Sequence, residues 1–299
     1  MKTTIKLISI ALLCNMLLSC DNDEPNNPLQ NPNNESIDLS NANGVWIIGF
    51  GDPGTIIDGL YYFSRGQREY MINRSYSPSF IKALVSEGLY QNQIINYKPY
   101  ASIIVNGIEC RTTAIDKEAL KGADYISTFN TPSTVTTIGA SAFENCTNLR
   151  SVRLPEKLAT IEEYCFAGCT SLSDIVIPPS VKTINNYAFA NCTSLSSITL
   201  PENLSSFYVL AFYGCKNLKS LVIPKSVTRI YGYSGDTMHE LFPESGIKDV
   251  YTASHATMTS CSITINPGIT LHVPAGTYDW YSTTRPWCYF GIIKEDYIP

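Results

Sequence analysis

Apolar residues recur along this chain at a fixed interval of 23 residues, as from Phe143 to Phe166. Four segments align without gaps, namely FENCTNLRSVRLP from Phe143, FAGCTSLSDIVIP from Phe166, FANCTSLSSITLP from Phe189 and FYGCKNLKSLVIP from Phe212. Phenylalanine, cysteine and proline each occupy one column of this alignment. Self-similarity at such a period is typical of a solenoid. The pattern therefore predicts a stack of similar coils, one for each repeat.

Each repeat holds two runs of apolar positions, which predict two inward-facing ribs. The spacing of Leu149, Val152 and Leu154 predicts a short strand, and alternation along it turns Val152 and Leu154 to one side. After the proline, Leu158 and Ile161 supply the second rib. The segment EEYCFAGC that follows predicts about one turn of helix that carries the phenylalanine inward. Stacked coils would bury both ribs against their neighbours.

The repeat weakens at both ends of the array. A degenerate first repeat begins near Ile115, and a last irregular one follows an insertion around residues 231–239. We therefore assign residues 111–246 to the repeats and residues 247–299 to the last irregular repeat and a C-terminal cap. Terminal repeats of solenoids are commonly atypical, because they cover the exposed ends of the core.

Residues 37–110 precede the repeats and carry no internal period. The segment VWIIGF predicts a strand, Ser77-Pro78 followed by SFIKALVSEG predicts a helix that stops at Gly88, and SIIVNGIECR predicts a tight hairpin. We expect this α+β region to cover the N-terminal end of the solenoid, because exposed solenoid ends need covering. The alternative is an independent ligand-binding domain.

The repeat unit F-x-x-C-x-x-L-x-x-V-x-L-P, followed by V-x-x-I and A-F, resembles the BspA-like class of leucine-rich repeats over roughly Ile115 to Ile293. The closing sequence from Ile269, with its VPAG turn and aromatic end, is similar to the C-terminal cap of that family. The resemblance implies an α/β solenoid, a right-handed coil of 23-residue repeats with a small α+β N-terminal capping region and an irregular C-terminal cap. The asparagine ladder of many leucine-rich repeats is absent, since its position holds Lys157, Ser180, Asn203 and Ser226.

The N-terminus has the features of an export signal. Lys2 and Lys6 precede an apolar stretch that ends in Leu17-Leu18-Ser19-Cys20, so residues 1–20 are predicted to be a lipoprotein signal peptide. This ending resembles the bacterial lipobox, which implies that Cys20 is the lipid anchor. The apolar stretch is shorter than the roughly 20 residues that a spanning helix requires. Residues 21–36, rich in proline and asparagine, predict a flexible tether.

Charge narrows the range of partners. Removing residues 1–20 takes two lysines and no acids from the formal charge of -5, which leaves -7 in the mature chain. We do not expect so acidic a chain to bind nucleic acid, because backbone phosphates need a basic patch. The acidic residues that directly follow Cys20 resemble the surface-export signal of some Gram-negative lipoproteins. The expected location is therefore the outer membrane, lipid-anchored and exposed at the cell surface.

No residue pattern predicts catalysis, a cofactor or a metal site. Gly49, Gly51 and Gly54 spell the dinucleotide fingerprint, but strand-like sequence follows where the phosphate-binding helix should begin, so a glycine-rich turn is favoured. The three histidines are too scattered for ligand spacing. The cysteines that recur with the repeat are interpreted as small buried residues, because parallel side chains bridge poorly. Cys261 and Cys288 lie off the repeat and would form the disulfide if any exists.

The outward positions of the predicted strands form the first candidate binding surface, which we expect to be the concave side. They are mostly small and polar, so the face is either merely solvated or a recognition surface. The candidates are Thr128, Asn130, Ser151, Arg153, Asp174, Val176, Ser197, Thr199, Ser220 and Val222. The alternative surface is an aromatic ledge near the insertion, made of Tyr231, Tyr233, Trp280 and Tyr281.

These patterns together predict a binding protein rather than an enzyme. The resemblance implies protein–protein interaction with, or adhesion to, host or neighbouring-cell macromolecules. A glycan-binding lipoprotein that serves carbohydrate capture is the alternative, and exposed aromatic rings grouped on one ledge would favour it. An enzyme in the N-terminal region would need a pocket with convergent titratable groups. The expected partner is thus an extracellular protein or glycan, and no cofactor is expected.

Overall fold

The computed structural model describes residues 112–124, 126–232, 241–257 and 267–299 with their side chains, and elsewhere only the backbone of assigned strands. The α-helix within the described residues is Tyr278–Thr283, and the 3-10 helices are Val209–Phe212 and Trp287–Tyr289. The strands are β1 (Ile37–Asp38), β2 (Trp46–Gly49), β3 (Asp52–Ile57), β4 (Leu60–Gly66), β5 (Glu69–Asn73), β6 (Ile95–Tyr97), β7 (Ser102–Val105), β8 (Ile108–Ile115), β9 (Ile126–Asn130), β10 (Thr137–Ile138), β11 (Ser151–Arg153), β12 (Thr160–Ile161), β13 (Asp174–Val176), β14 (Thr183–Ile184), β15 (Ser206–Tyr208), β16 (Ser220–Ile223), β17 (Arg229–Tyr231), β18 (His239–Glu240), β19 (Asp249–Thr252), β20 (Thr257–Thr259), β21 (Ile263–Thr264), β22 (Asn266–His272) and β23 (Phe290–Lys294).

The repeats form a parallel β-solenoid of about 7 turns, with equivalent residues about 23 positions apart. One row of strands runs β6, β9, β11 and β13, and resumes as β16, β19, β22 and β23. A second row runs β12, β14, β15, β17 and β20, while β10 pairs with β8 instead. The register is that of the sequence repeat, since Val152 lies opposite Ile175 and Phe207 opposite Ile230. The predicted 23-residue solenoid is thus confirmed.

The remaining side of the coils is a run of turns, except for the 3-10 helix Val209–Phe212, so the expected helical turn is found in one described repeat and not in its neighbours. Successive turns are joined by backbone hydrogen bonds, as when the Phe143 N–H donates to the Cys165 oxygen at 2.8 Å. Helical content within the described residues is low, and the α/β part of the expectation is not confirmed. Each turn instead needs a residue of positive φ, a conformation that glycine and asparagine tolerate best. One such position is held by Asn145, Gly168, Asn191 and Gly214, and a second positive φ falls four positions earlier at Ser141, Tyr164 and Tyr187.

The phenylalanine column lies at the centre of the core. Phe143, Phe166, Phe189 and Phe212 are fully buried. Consecutive rings of this column stack nearly parallel, with centroids 5.3, 5.5 and 5.8 Å apart along the array. Phe129 of the first repeat meets Phe143 edge-on at 5.0 Å. Both predicted apolar ribs are buried around the column, as Leu154 and Ile161 illustrate.

The region before the repeats adds β6 to the first row and pairs with β10 through β8. β8 pairs in parallel with β10, and β6 with β9. The predicted hairpin is confirmed, because β7 and β8 are antiparallel with Val105 opposite Ile108. The glycine-rich segment lies in a second hairpin, in which β2 and β3 are antiparallel and Gly49 lies opposite Asp52. Residues 50 and 51, between these two strands, lie outside the described residues. The predicted helix at residues 78–87 lies outside the described residues.

The C-terminal segment folds its aromatic side chains into the end of the core. Tyr281 and Trp287 are fully buried. The Tyr281 hydroxyl donates to the Ser254 oxygen at 2.9 Å, and the Trp287 indole N–H donates to the Ala256 oxygen at 3.0 Å. Buried hydroxyl and indole groups need such partners, so these two bonds fix the segment against the last coils.

Hydroxyl groups take over part of the role of the missing asparagine ladder. Ser180 Oγ donates to the Leu158 oxygen and Ser226 Oγ to the Leu204 oxygen, both at 2.6 Å. Each bond reaches back to the preceding coil. The sequence comparison missed this function, because serine also occurs commonly at plain surface turns.

The cysteine column is buried and reduced. Its members, Cys146, Cys169, Cys192 and Cys215, are free thiols, as expected for parallel side chains. Each thiol donates a weak hydrogen bond to a backbone oxygen of the preceding coil. Cys192 Sγ reaches the Phe166 oxygen at 3.2 Å, and Cys215 Sγ reaches the Phe189 oxygen at 3.0 Å. Cys288 is also a free thiol, and its proposed partner Cys261 lies outside the described residues.

Burial keeps the thiols of Cys169, Cys192 and Cys215 protonated. Loss of hydration raises the pKa of Cys169 and Cys192 well above 9.0, and that of Cys215 to about 12. In the unfolded chain these thiols would ionise near 9.0. Above that pH the unfolded state therefore holds fewer protons than the folded state, and the stability supplied by the neutral thiols declines as pH rises.

Replacing Cys192 by alanine should weaken the alkaline sensitivity of folding. We expect the free energy of unfolding of the reduced protein to fall between pH 9 and pH 11, each buried thiol contributing at most about 1.4 kcal/mol per pH unit. Denaturant titrations at each pH should give a shallower decline for Cys192→Ala, whatever its stability at neutral pH. An identical slope in both proteins would contradict neutral burial of this thiol.

Candidate functional site

The outward side of the first strand row forms one surface, here called the strand face. It comprises β9, β11, β13, residues 196–200, β16, β19, β22 and β23. Strand pairing aligns the N-terminal candidate residues in two columns. One column is Thr128, Ser151 and Asp174, and the other is Asn130, Arg153 and Val176. The sequence thus predicted the neighbours correctly within this half of the face.

The predicted positions of the strand face differ in exposure. Thr128, Asn130 and Ser151 are half-buried, whereas the candidates from Arg153 onward are exposed. Two of the exposed side chains are apolar, because Val176 is 75% exposed and Val222 is 48% exposed. Their inward neighbours Ile175 and Leu221 are buried, as strand alternation requires. The face therefore presents apolar groups beyond those needed for the core.

The strand face is interrupted at the repeat between β13 and β16. Residues 196–200 form no strand, and their backbone groups make no backbone hydrogen bond. Ile198 is only partly buried, whereas its equivalents Val152, Ile175 and Leu221 are buried. The turn side of the same coil remains bonded, since the Phe189 N–H donates to the Ala211 oxygen at 2.8 Å. This coil thus lacks backbone pairing on the strand face, whereas its turn side is paired with the next coil.

An open groove of about 550 Å³ lies at this interruption. One wall is β13 with Pro179, and the other is formed by residues 197–203. Val176 and Ile198 line its apolar part, whereas Asp174 and Glu202 are the charged residues that line it. No lysine or arginine is among the lining residues. The groove therefore combines an apolar part with two acidic side chains.

The far half of the strand face carries aromatic and ionic groups that the sequence did not predict. Pairing of β16, β19 and β22 aligns Val222, Tyr251 and His272. His272 stacks on Tyr251 at 4.4 Å. Its Nδ1 lies 2.6 Å from an Asp296 oxygen, and its Nε2 lies 3.0 Å from an Asp249 oxygen. The ring thus links three successive segments, namely β19, β22 and the residues that follow β23.

The aromatic ledge that we considered as the alternative surface is not assembled as expected. Tyr281 is fully buried, so the expectation that it offers a ring to a ligand is wrong. Trp280 is half-buried and packs edge-on against His255 at 4.6 Å. Tyr231 is half-buried and stacks on Tyr208 at 4.8 Å, which covers one face of its ring. Tyr233 lies outside the described residues.

Within the described part of the chain, no group of three or more His, Cys, Asp or Glu side chains is placed to hold a metal ion. Nor does that part contain a helix long and apolar enough to cross a bilayer. Cys20 lies outside it. The strand face and its groove are thus the features of the described residues with the clearest means of contacting a partner.

Residues 113–236 match, in six copies, the family described as BspA type leucine rich repeat region. The match covers 124 of the 299 residues, so the likeness to the BspA type is a likeness of the repeats and not of the whole chain. The BspA-type repeats end before the C-terminal strands, so the groove falls within the matched residues and His272 falls beyond them. No curated protein matches the chain at a significant level.

A solved structure of a bacterial repeat protein shares the fold, and a second is reported with it. A leucine rich cell surface protein from Faecalibacterium prausnitzii is 22% identical, with a TM-score of 0.57 over 74% of this chain and 54% of that chain. A leucine-rich repeat protein from Bacteroides ovatus is 19% identical, with a TM-score of 0.48 over 73% of this chain and 64% of that chain. The present chain thus spans less than two thirds of the length of either protein.

Proposed function

We propose that this protein is a cell-surface leucine-rich-repeat protein that binds an extracellular protein through its strand face. Leucine-rich-repeat proteins generally bind other proteins, and those of the BspA type are typically found on bacterial cell surfaces. The observation that carries the proposal is the pair of exposed valines on the strand face, Val176 in the lining of the open groove and Val222 on β16 outside it. Apolar groups within a polar rim are typical of interaction sites.

A protein partner is favoured over a glycan by the state of the aromatic rings. Sugar-binding sites use planar faces that are free to stack. Tyr281 is buried and the Tyr231 ring is stacked on Tyr208, so these residues offer little open ring surface. Glycan capture remains the alternative outcome of the binding experiment below. Adhesion to a host or a neighbouring cell would follow from protein binding at the cell surface.

Charged substitutions on the strand face should abolish partner binding. We expect the purified full-length chain to bind one or more members of an array of extracellular-matrix proteins, and Val176→Asp with Val222→Asp to weaken that binding at least about tenfold, because the apolar contact would be lost. The measurement is titration of each array hit at physiological salt.

The matched control is Ile298→Asp, which introduces the same charge at a side chain that is 90% exposed and distant in sequence from the groove. It should bind as the unsubstituted chain does. Protein binding that survives both valine substitutions would contradict the strand face as the site. Binding to glycans alone, lost in Trp280→Ala but not in the valine variants, would move the function to carbohydrate capture.

We further propose that Cys20 anchors the chain in the outer membrane, with residues 21–36 as a tether that raises the repeats above the cell surface. In the same proposal, residues 37–110 cover the N-terminal end of the solenoid, and the segment after residue 247 covers the other end. The pairings of β6 with β9 and of β8 with β10 support the first assignment. Exposed solenoid ends need such covering.

Substituting Cys20 by alanine should release the protein from membranes. Without the thiol no lipid can be attached, and we expect the chain to move from the membrane fraction to the soluble fraction of cells that export it. Cys14→Ala is the matched control for this fractionation and should stay in the membrane fraction. Proteolysis of intact cells measures whether the unsubstituted chain is displayed at the cell surface. Continued membrane retention of Cys20→Ala would contradict the anchor.

A further inference from the structure

We propose that the groove beside β13 binds an extended peptide segment of the partner by strand addition, and that this segment carries basic residues on either side of a small apolar one. The inference rests on the proposed function, because it names the partner's chemistry at the strand face. Strand addition joins a peptide to the free edge of a sheet through main-chain hydrogen bonds.

β13 has a free edge beside the groove. β13 pairs with β11 on one side and with no strand on the other. The edge of β16 that faces β13 is likewise without a paired strand, since β16 pairs with β19. Residues 196–200, which lie between the two edges, make no backbone hydrogen bond. Main-chain donors and acceptors are therefore available inside the groove, where such groups favour a β-strand partner.

Folded proteins usually prevent this kind of exposure. A free edge is commonly covered, bulged or blocked by an inward-pointing charge or a lysine. Here the groove has no lysine or arginine, and the side chains next to the edge are Val176 and Ile198. Pro179, which has no N–H, blocks pairing only beyond the end of β13. Nothing in the groove lining thus opposes the addition of a strand.

The side chains of the groove specify what an added strand should carry. Asp174 stands at the first residue of β13, and Glu202 follows Pro201 at the other end of the opposite wall. Both carboxylates are exposed, and Val176 lies between them with most of its surface in solvent. Alternate residues of a strand point to the same side. A segment of the form basic-x-apolar-x-basic would therefore place its charges near the acids and its apolar residue on Val176.

The size of the groove agrees with a short segment. The three residues of β13 span about 10 Å at a strand rise of about 3.3 Å per residue. A volume of about 550 Å³ lies within the range of about 300–1,000 Å³ for ligand sites. The lining of this wall extends beyond β13 at both ends, from Ser173 to Pro179, so about five extended residues would be held, which is too few for tight binding without further contacts on the strand face.

A set of capped pentapeptides tests the inference on the full-length protein. The probe is Lys-Thr-Val-Thr-Lys with a fluorophore, and binding is measured by fluorescence anisotropy up to 1 mM peptide. One control carries Glu in place of both lysines, and a second carries N-methyl groups on both threonines and on the valine, which remove backbone donors from both edges of the strand without changing charge. We expect the probe to bind with a dissociation constant below 1 mM and both controls to bind at least about tenfold more weakly.

Variants of the protein complete the test. Asp174→Asn with Glu202→Gln should weaken probe binding by about two- to tenfold, an effect that added salt should mimic. Glu156→Gln with Glu163→Gln makes the same change of charge at exposed sites outside the groove and should leave binding unchanged. Unchanged denaturant midpoints in both double variants would show that the fold is intact.

The contrary results separate the inference from the proposed function. Equal binding of the N-methylated peptide would overturn strand addition, and equal binding of the glutamate peptide would overturn the basic preference. No binding of the probe up to 1 mM would overturn the inference as a whole. In each case the proposed function would still stand if Val176→Asp with Val222→Asp abolishes binding of a protein partner. If the partner binds this double variant as well as the unsubstituted chain, the proposed function would fail together with the inference.

Discussion

Stacking of each coil on an equivalent coil, in one register, is the interaction on which the rest of the structure depends. Parallel strands place successive coils about 4.8 Å apart. The phenylalanine rings of successive coils are separated by 5.3–5.8 Å, so the ring column can follow the strand spacing without a gap. Cysteine thiols and serine hydroxyls reach back to carbonyl oxygens of the preceding coil. A coil alone would leave both its apolar ribs and these polar groups without partners.

Much of this arrangement could be predicted from the sequence because it repeats. The columns of phenylalanine, cysteine and proline fix the register, and the register fixes which strand residues point inward. The turn side was mispredicted as helical in all but one of the described repeats, although the alternating Asn145, Gly168, Asn191 and Gly214 are the residue types that positive φ favours. The burial of Tyr281 and the hydrogen bonds of His272 lie beyond the regular repeat, where no column existed to indicate their neighbours.

The interruption of the strand face could not have been predicted in this way. Residues 196–200, SSITL, keep the apolar spacing of the paired segments RSVRL and KSLVI, and nothing in their composition explains the loss of pairing. The loss of pairing nevertheless has a clear structural consequence. The regular coils satisfy their backbone groups with each other, whereas this coil leaves donors and acceptors open beside exposed apolar side chains. The candidate site is thus the place where the repeat that builds the fold is locally incomplete.

Hydrogen–deuterium exchange of the full-length protein tests this central claim most directly. Amides without a hydrogen-bond partner exchange through small local fluctuations, whereas paired strand amides require larger openings. The account predicts that residues 196–200 exchange at least about 100-fold faster than the equivalent residues 150–154 of the β11 coil, while residues 186–191 on the turn side of the same coil stay protected. Equal protection of the two strand segments would mean that the sheet is closed, and would contradict the open groove.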